Sequence, residues 1–196
     1  MKIPLIWLKD YINLNKTKKQ FGDDFTAIGL MVDKPTQEEV LDLEHRMDRS
    51  DWLSILGCAR DICAYNKVPL IEPQVYNEDL NLVSSEDKIE IQVEARKKVN
   101  RFKTVVIKNV TVGPSPDWIK QRLELYGIPS INNVVDITNF VMVEMGQPMH
   151  AQDIQNLPKN EIILKDADVN KTITTLLGEN VKLVEENFTL SSNDEP

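Results

Sequence analysis

Leu5, Leu8 and Ile12 recur at helical spacing over residues 4–12. Pro4 suits a first helical turn, where its fixed φ helps and its missing N–H costs nothing. A second helix is predicted from Thr17, as N-cap, to Gly29, as stop, with Phe21, Phe25 and Ile28 on one face. Met31-Val32 and Val40 to Leu43 read as short strands. Ser50 is read as the cap of a third helix whose buried stripe is Trp52, Leu56, Ala59 and Cys63, ending before Pro69.

Residues 72–87 are polar and without pattern, as a connector is, and the texture changes after them. Ile89, Ile91 and Val93 alternate with polar residues, the signature of a half-buried strand. Thr104 to Val112 is β-branched and strand-like. Ser115-Pro116 starts a helix that carries Ile119, Leu123 and Tyr126 and ends at Gly127. The segment 132–145, capped by Asn132 or Asn133, places Val134, Ile137, Val141 and Met145 at helical spacing. Its β-branched residues lower helix propensity, so packing must hold it. Short strands are predicted at 161–165, 172–176, 181–184 and 188–191, with Gly178 in a turn. The pattern predicts an α+β fold of two small mixed units, 1–85 and 86–196, the second with helices packed on a sheet.

Composition narrows the function classes. In 196 residues, 41% are apolar, enough for a buried core, and the net charge of −8 repels nucleic acid. RNA contact therefore requires a local basic patch or a partner. Two candidates exist, Lys16 with Lys18 and Lys19, and Arg96, Lys97, Lys98, Arg101 and Lys103; each is otherwise a solvated face. Cys58 and Cys63 are five apart on a helical pattern and read as reduced core thiols; with two histidines in the chain no zinc spacing arises. No apolar run is long enough to span a membrane, and Lys9 and Asp10 interrupt any signal-peptide stretch, so a cytoplasmic protein is expected. Glu44, Asp48 and Asp51 look like a carboxylate cluster but lack a further metal ligand. Trp7, Trp52 and Trp118 sit with aliphatics and read as core or interface.

Three segments resemble a known family. They are MKIPLIWLKDYINL at 1–14, LDLEHRMDRSDWLSILGCARDICA at 41–64, and the longest, residues 100–153. The last contains Gly113-Pro114-Ser115-Pro116, then Asn132 to Asn139 as NNVVDITN, then Gly146-Gln147-Pro148-Met149-His150-Ala151. Together they resemble the bacterial-type phenylalanyl-tRNA synthetase (phenylalanine–tRNA ligase) β subunit, from its N-terminal region through the first part of its editing domain. Thr175-Leu176 with Gly178 is similar to that family's T-L-D-G turn. Departures are Asp48 for Asn, Trp52 for Cys, Gln152 for Phe and Leu177 for Asp. The OB-fold tRNA-binding insert of the family is absent near 34–39, and Asn193 to Pro196 precede the position of its Leu-Ala-Gly-rich strand.

The resemblance implies support of Phe-tRNA aminoacylation and hydrolytic editing of mischarged Tyr-tRNA. A hydrophobic pocket rejects an added hydroxyl only about a hundredfold, so a second, hydrolytic site is the physical remedy. By resemblance Thr138, Asn139 and His150 line that pocket. Thr138 and Asn139 offer a hydroxyl and an amide to the substrate's amino and carbonyl groups, and His150 brings the side chain that exchanges protons near neutral pH. Taken singly, Thr138 is a back-bonding helical hydroxyl, His150 a structural histidine, and Asp136 a group that orients a neighbour. No cofactor is expected in this chain; ATP and Mg²⁺ belong to the holoenzyme by resemblance. The implied partners are the synthetase α subunit, in a heterotetramer, and tRNA(Phe), with no membrane.

Two other classes stay open. A free-standing trans-editing aminoacyl-tRNA hydrolase would need a complete pocket in this chain, whereas the resemblance places further pocket residues beyond Pro196 and leaves the chain alone inactive. A non-catalytic structural or RNA-binding relative is favoured by Gln152 and Leu177.

Overall fold

The computed structural model describes residues 1–34, 36, 39–44, 46–74, 89–175 and 178–192. Most of the expected connector at 72–87, the boundary near 86, Leu177, part of 34–39 and the last four residues lie outside them. The chain forms two compact units: Met1–Tyr76 with Thr111–Ala151, and Asn77–Val110 with Gln152–Pro196.

The first unit holds the main core. Strands β1 (Lys2–Pro4), β2 (Val32–Lys34) and β3 (Val40–Leu43) form an antiparallel sheet in the order β1-β3-β2, with Ile3 opposite Leu41. The helix expected over 4–12 shrinks to α1 (Leu5–Leu8). Lys2–Pro4 is taken by the sheet, the Leu5 N–H bonds to Glu39 O (2.8 Å), and Ile12 turns extended to bridge Leu70. All three apolar positions are nonetheless buried. Helix α2 (Lys18–Ala27) starts as expected: Thr17 and Gln20 form a reciprocal capping box.

Ser50 does not cap the third helix. It opens a 3-10 turn, Ser50–Leu53, and α3 (Ile55–Asn66) is capped by Ser54, whose Oγ accepts from Gly57 N at 3.0 Å. The turn is held by side chains. Trp52 Nε1 donates to Asp61 (2.7 Å), Arg49 pairs with Asp51 and Asp61 (2.7 and 2.6 Å), and the Arg49 guanidinium lies 3.9 Å from the Trp52 ring centroid. Trp52 thus packs beside α3 rather than within its stripe.

Helices α4 (Asp117–Tyr126) and α5 (Asn133–Met145) also belong to the first unit. Each ends on a glycine in the left-handed region, Gly127 (φ 104°) and Gly146 (φ 78°), which frees the last turns to close without a Cβ penalty. Asn132 caps α5, accepting from Val134 N (3.1 Å) and Val135 N (3.0 Å). Asn133 instead ties the preceding loop, accepting from Gly113 N (3.0 Å) and donating to Thr111 O (2.9 Å). Ile119, Leu123, Phe140 and Val143 enter one buried cluster with Trp7, Leu8, Phe21 and Ile62. Phe140 stacks on Trp7 at 4.4 Å and 21°, and Trp118, about half exposed, meets it edge-on at 5.3 Å. The expectation that these helices rest on the second unit's sheet is therefore corrected. Their apolar stripes complete a core built by the N-terminal segment, which no sequence-continuous boundary at 86 anticipates.

The second unit is mostly sheet. β4 (Glu90–Val93) pairs parallel with β5 (Glu161–Asp166), which pairs antiparallel with β8 (Phe188–Ser191). β6 (Thr172–Thr174) and β7 (Asn180–Lys182) form a hairpin, and Gly178 lies in its turn as expected. Leu164, fully buried at the centre of β5, anchors the small core with Ile162, Ile163, Ala95 and Leu183. Thr104 to Val112 is not a strand. Val105, Ile107, Val110 and Val112 are exposed by 61, 75, 52 and 66%, and no ladder partner lies beside them among the described residues. Strand propensity alone does not satisfy a backbone; pairing does. The α+β class holds for the chain, with the α-helices in the first unit and, among the described residues, strands and short 3-10 turns in the second.

Candidate functional site

Helix α5 positions the first two candidates. Thr138 and Asn139 sit in its middle, half-buried. Thr138 Oγ1 donates to Val135 O at 2.7 Å. That bond uses the hydroxyl proton and leaves the oxygen able only to accept. The Asn139 amide has no side-chain partner among the described residues, so both its donor and acceptor ends are available. His150 is placed differently. It is exposed, in the irregular segment beyond Gly146. Thr138 stands seven residues before Met145, so roughly 10 Å of helix axis precedes that segment. The fold thus sets Thr138 and Asn139 at successive positions of α5, about 100° apart around its axis, and leaves His150 past the helix end. Two cavities in the second unit, one of about 220 Å³ lined by Lys165, Asp166, Asp168, Lys171, Leu183 and Thr189 and one of about 360 Å³ around Arg96 and Phe102, include none of the three.

Asp136 fixes the start of α5. It is fully buried and accepts hydrogen bonds from Ser115 Oγ (2.5 Å), Ser130 Oγ (2.6 Å) and Ile131 N (2.8 Å). Burial opposes its ionisation, but the bonds from Ser115, Ser130 and the backbone outweigh it and hold the carboxyl below its ordinary range. The sequence reading of Asp136 as an orienting group is what the geometry shows: it draws two segments, at Ser115 and at Ser130-Ile131, to the helix that carries Thr138 and Asn139.

A second polar pair had no sequence signal. Tyr11 OH donates to Glu144 Oε1 near the end of α5. Burial, then the bond between them, pushes the Tyr11 phenol upward; burial pushes the Glu144 carboxyl upward against the lowering effect of Tyr11. With 133 residues between the partners, only the folded chain reveals the contact.

The two basic candidates separate in the structure. Lys16 bonds Asp24 (2.5 Å) and Asn66, and Lys18 bonds the Thr36 carbonyl and hydroxyl, both at 2.6 Å, so two of the three N-terminal lysines are internally engaged. Arg96, Lys97, Arg101 and Lys103 are exposed. The carboxylates at 44–51 do not converge. Asp48 pairs with Arg46 (2.9 Å) and Asp51 with Arg49, which holds both carboxyls below their ordinary range. No group of three or more His, Cys, Asp or Glu able to hold a metal occurs among the described residues. Cys58 and Cys63 are buried free thiols, as read, and burial pushes Cys58 up to about 12. No helix is long and apolar enough to cross a membrane among the described residues.

These features define an α+β protein in which a buried carboxylate organises a capped helix bearing two polar side chains. The chain belongs to the B3/4 domain family, which matches residues 98–196. Its relatives include phenylalanine–tRNA ligase β subunits. That of Carboxydothermus hydrogenoformans is 38% identical over 159 residues, 80% of this chain and 19% of the relative. That of Staphylococcus saprophyticus is 30% identical over 190 residues, 93% and 24% respectively. That of Thermotoga maritima is 39% identical over 139 residues, 71% and 17%. The chain spans about a fifth of the length of the curated relatives it matches.

Proposed function

We propose that this chain acts as a β-subunit portion of a phenylalanine–tRNA ligase and contributes Thr138, Asn139 and His150 to a site that hydrolyses mischarged Tyr-tRNA. The observation that carries the reading is the 38% identity over 159 residues to a β subunit of that ligase, spanning the segment that bears all three side chains. On this reading the three side chains divide the labour. Thr138, whose proton is committed to Val135, accepts from the substrate's ammonium. Asn139 donates its free amide to the ester carbonyl. His150, exposed beyond the helix, receives a proton from the attacking water. Positioning supplies most of the effect. The partners are the α subunit and tRNA(Phe), the setting is cytoplasmic, and ATP with Mg²⁺ serves aminoacylation elsewhere in the holoenzyme.

The test is a chimera. Residues of the matched segment replace their counterparts in the Carboxydothermus β subunit, and Tyr-tRNA deacylation is followed in single turnover beside Phe-tRNA synthesis. His150→Ala should slow deacylation on the order of a hundredfold, with aminoacylation and melting temperature unchanged. Unchanged hydrolysis in that variant would overturn the assignment and favour a non-catalytic role.

A further inference from the structure

Residues 95–116 contain six of the chain's 23 Lys and Arg, at positions 96, 97, 98, 101, 103 and 108, and none of its 31 Asp and Glu. In a chain of net charge −8 this is a local reversal of field. The second unit holds the first part of the run in a built turn. Ala95, 3% exposed, seats it in the core, and the N–H groups of Glu94 and Ala95 both bond to Leu164 O, at 2.8 and 3.0 Å. Lys98 N and Val99 N close back on Ala95 O, at 2.9 and 3.0 Å. Lys98 is spent as a tether: its Nζ pairs with Asp166 (2.8 Å) and donates to the carbonyls of Glu185 (2.5 Å) and Asn187 (3.0 Å).

The other cations are left outward. Arg96, Lys97, Arg101 and Lys103 are exposed, and no carboxylate pairs with them among the described residues. Beside them lies an open depression of about 360 Å³ lined by Val93, Arg96, Val99, Asn100, Arg101 and Phe102. Guanidinium groups, an amide and an aromatic face in one concavity are the set that takes a phosphate together with a stacked base.

We propose that Arg96, Lys97, Arg101 and Lys103, with the Phe102 depression, form an RNA-binding surface that grips phosphates and stacks an unpaired nucleotide. RNA is favoured over an acidic protein because Phe102 lines the depression beside Arg96 and Arg101, which adds an aromatic ring for a base to the charge for its phosphate. The proposal rests on the tRNA reading above and names the surface of this chain that meets the nucleic acid.

The experiment uses the 196-residue chain and a fluorescein-labelled RNA minihelix with an unpaired 3′ end and no amino acid attached, read by anisotropy across a salt series. Because nothing is hydrolysed, its outcome is independent of the deacylation assay. The variant with Arg96, Lys97, Arg101 and Lys103 all changed to Ala should bind at least tenfold more weakly. Its slope of log affinity against log salt should fall by roughly 0.7 per cation removed. A control with Lys9, Lys19, Lys34 and Arg60 changed to Ala carries the same net charge, and should keep wild-type affinity and slope. Phe102→Leu should weaken binding of the minihelix but not of a blunt duplex. Absence of binding, equal loss in both quadruple variants, or a charge-matched polyglutamate that binds as well as the RNA would each overturn the proposal, the last by assigning the surface to an acidic protein.

Discussion

Ser115 Oγ donates to the buried carboxylate of Asp136, joining the residue pair that starts α4 to the first turn of α5. Ser130 Oγ and Ile131 N reach the same carboxylate from the loop between those helices. Asp136→Ala would leave three donors without an acceptor in a closed site, and is expected to lower unfolding free energy by about 3–5 kcal/mol in urea titrations. Ser115→Ala, which removes one donor, should cost about 1–2 kcal/mol.

The same group predicts an acid limb. Its folded pKa lies below the ordinary carboxylate value, so its contribution is complete above that value and is lost as pH falls through the lower folded one. Asp136→Asn should flatten this limb: its loss of stability relative to wild type should be largest near neutral pH and shrink steadily in acid.

Glu144 works in the opposite direction. Burial raises its folded pKa, so the folded chain favours the protonated form. The stability this gives is present below the ordinary carboxylate value and is lost as pH rises through the raised folded one. Glu144→Gln keeps an acceptor for Tyr11 and removes the titration. Relative to wild type it should therefore gain stability between mildly acid and neutral pH; a constant difference across that window would show that Glu144 does not titrate in the fold.

Gly57 tolerates no side chain. A Cβ there would sit 1.9 Å from Asp51 O, a backbone atom at the base of the 3-10 turn. Gly57→Ala must displace either the turn or the first turn of α3, and the expected cost is about 3 kcal/mol or more, measured by thermal unfolding. An unchanged melting temperature would mean that the Asp51 carbonyl does not hold that place.

Phe140 covers Trp7, and its truncation opens a void next to a fully buried indole. Phe140→Ala should cost about 3–5 kcal/mol, and Trp7 fluorescence should shift to the red as water reaches the ring.

Local chemistry carried well from sequence to structure. Thr17, Asn132 and Gly127 mark helix ends because capping depends on a few adjacent residues. The Ser50 cap failed because Arg49, Trp52 and Asp61 form a tertiary network that draws Ser50–Leu53 into a separate turn. Thr104 to Val112 failed because β-branching records a preference and not the presence of a neighbour. The home of α4 and α5 was hidden for a related reason: an apolar stripe says that a helix is covered, not what covers it. At the site, the linear motif named Thr138, Asn139 and His150, but the commitment of the Thr138 proton and the Tyr11–Glu144 pair depend on the folded backbone.

The discontinuity of the first unit orders events on the ribosome. Synthesis delivers Phe140 long after Trp7, so the indole lacks its stacking partner while the residues in between are made. The second unit offers no earlier refuge, since β4 waits for β5 at Glu161–Asp166 and β5 for β8 at Phe188–Ser191. A nascent chain paused between Val93 and Asn133 therefore carries an open apolar face and an unpaired strand together. Those two features together are what makes a partly folded chain prone to aggregate, so association of such intermediates is the hazard this chain order creates.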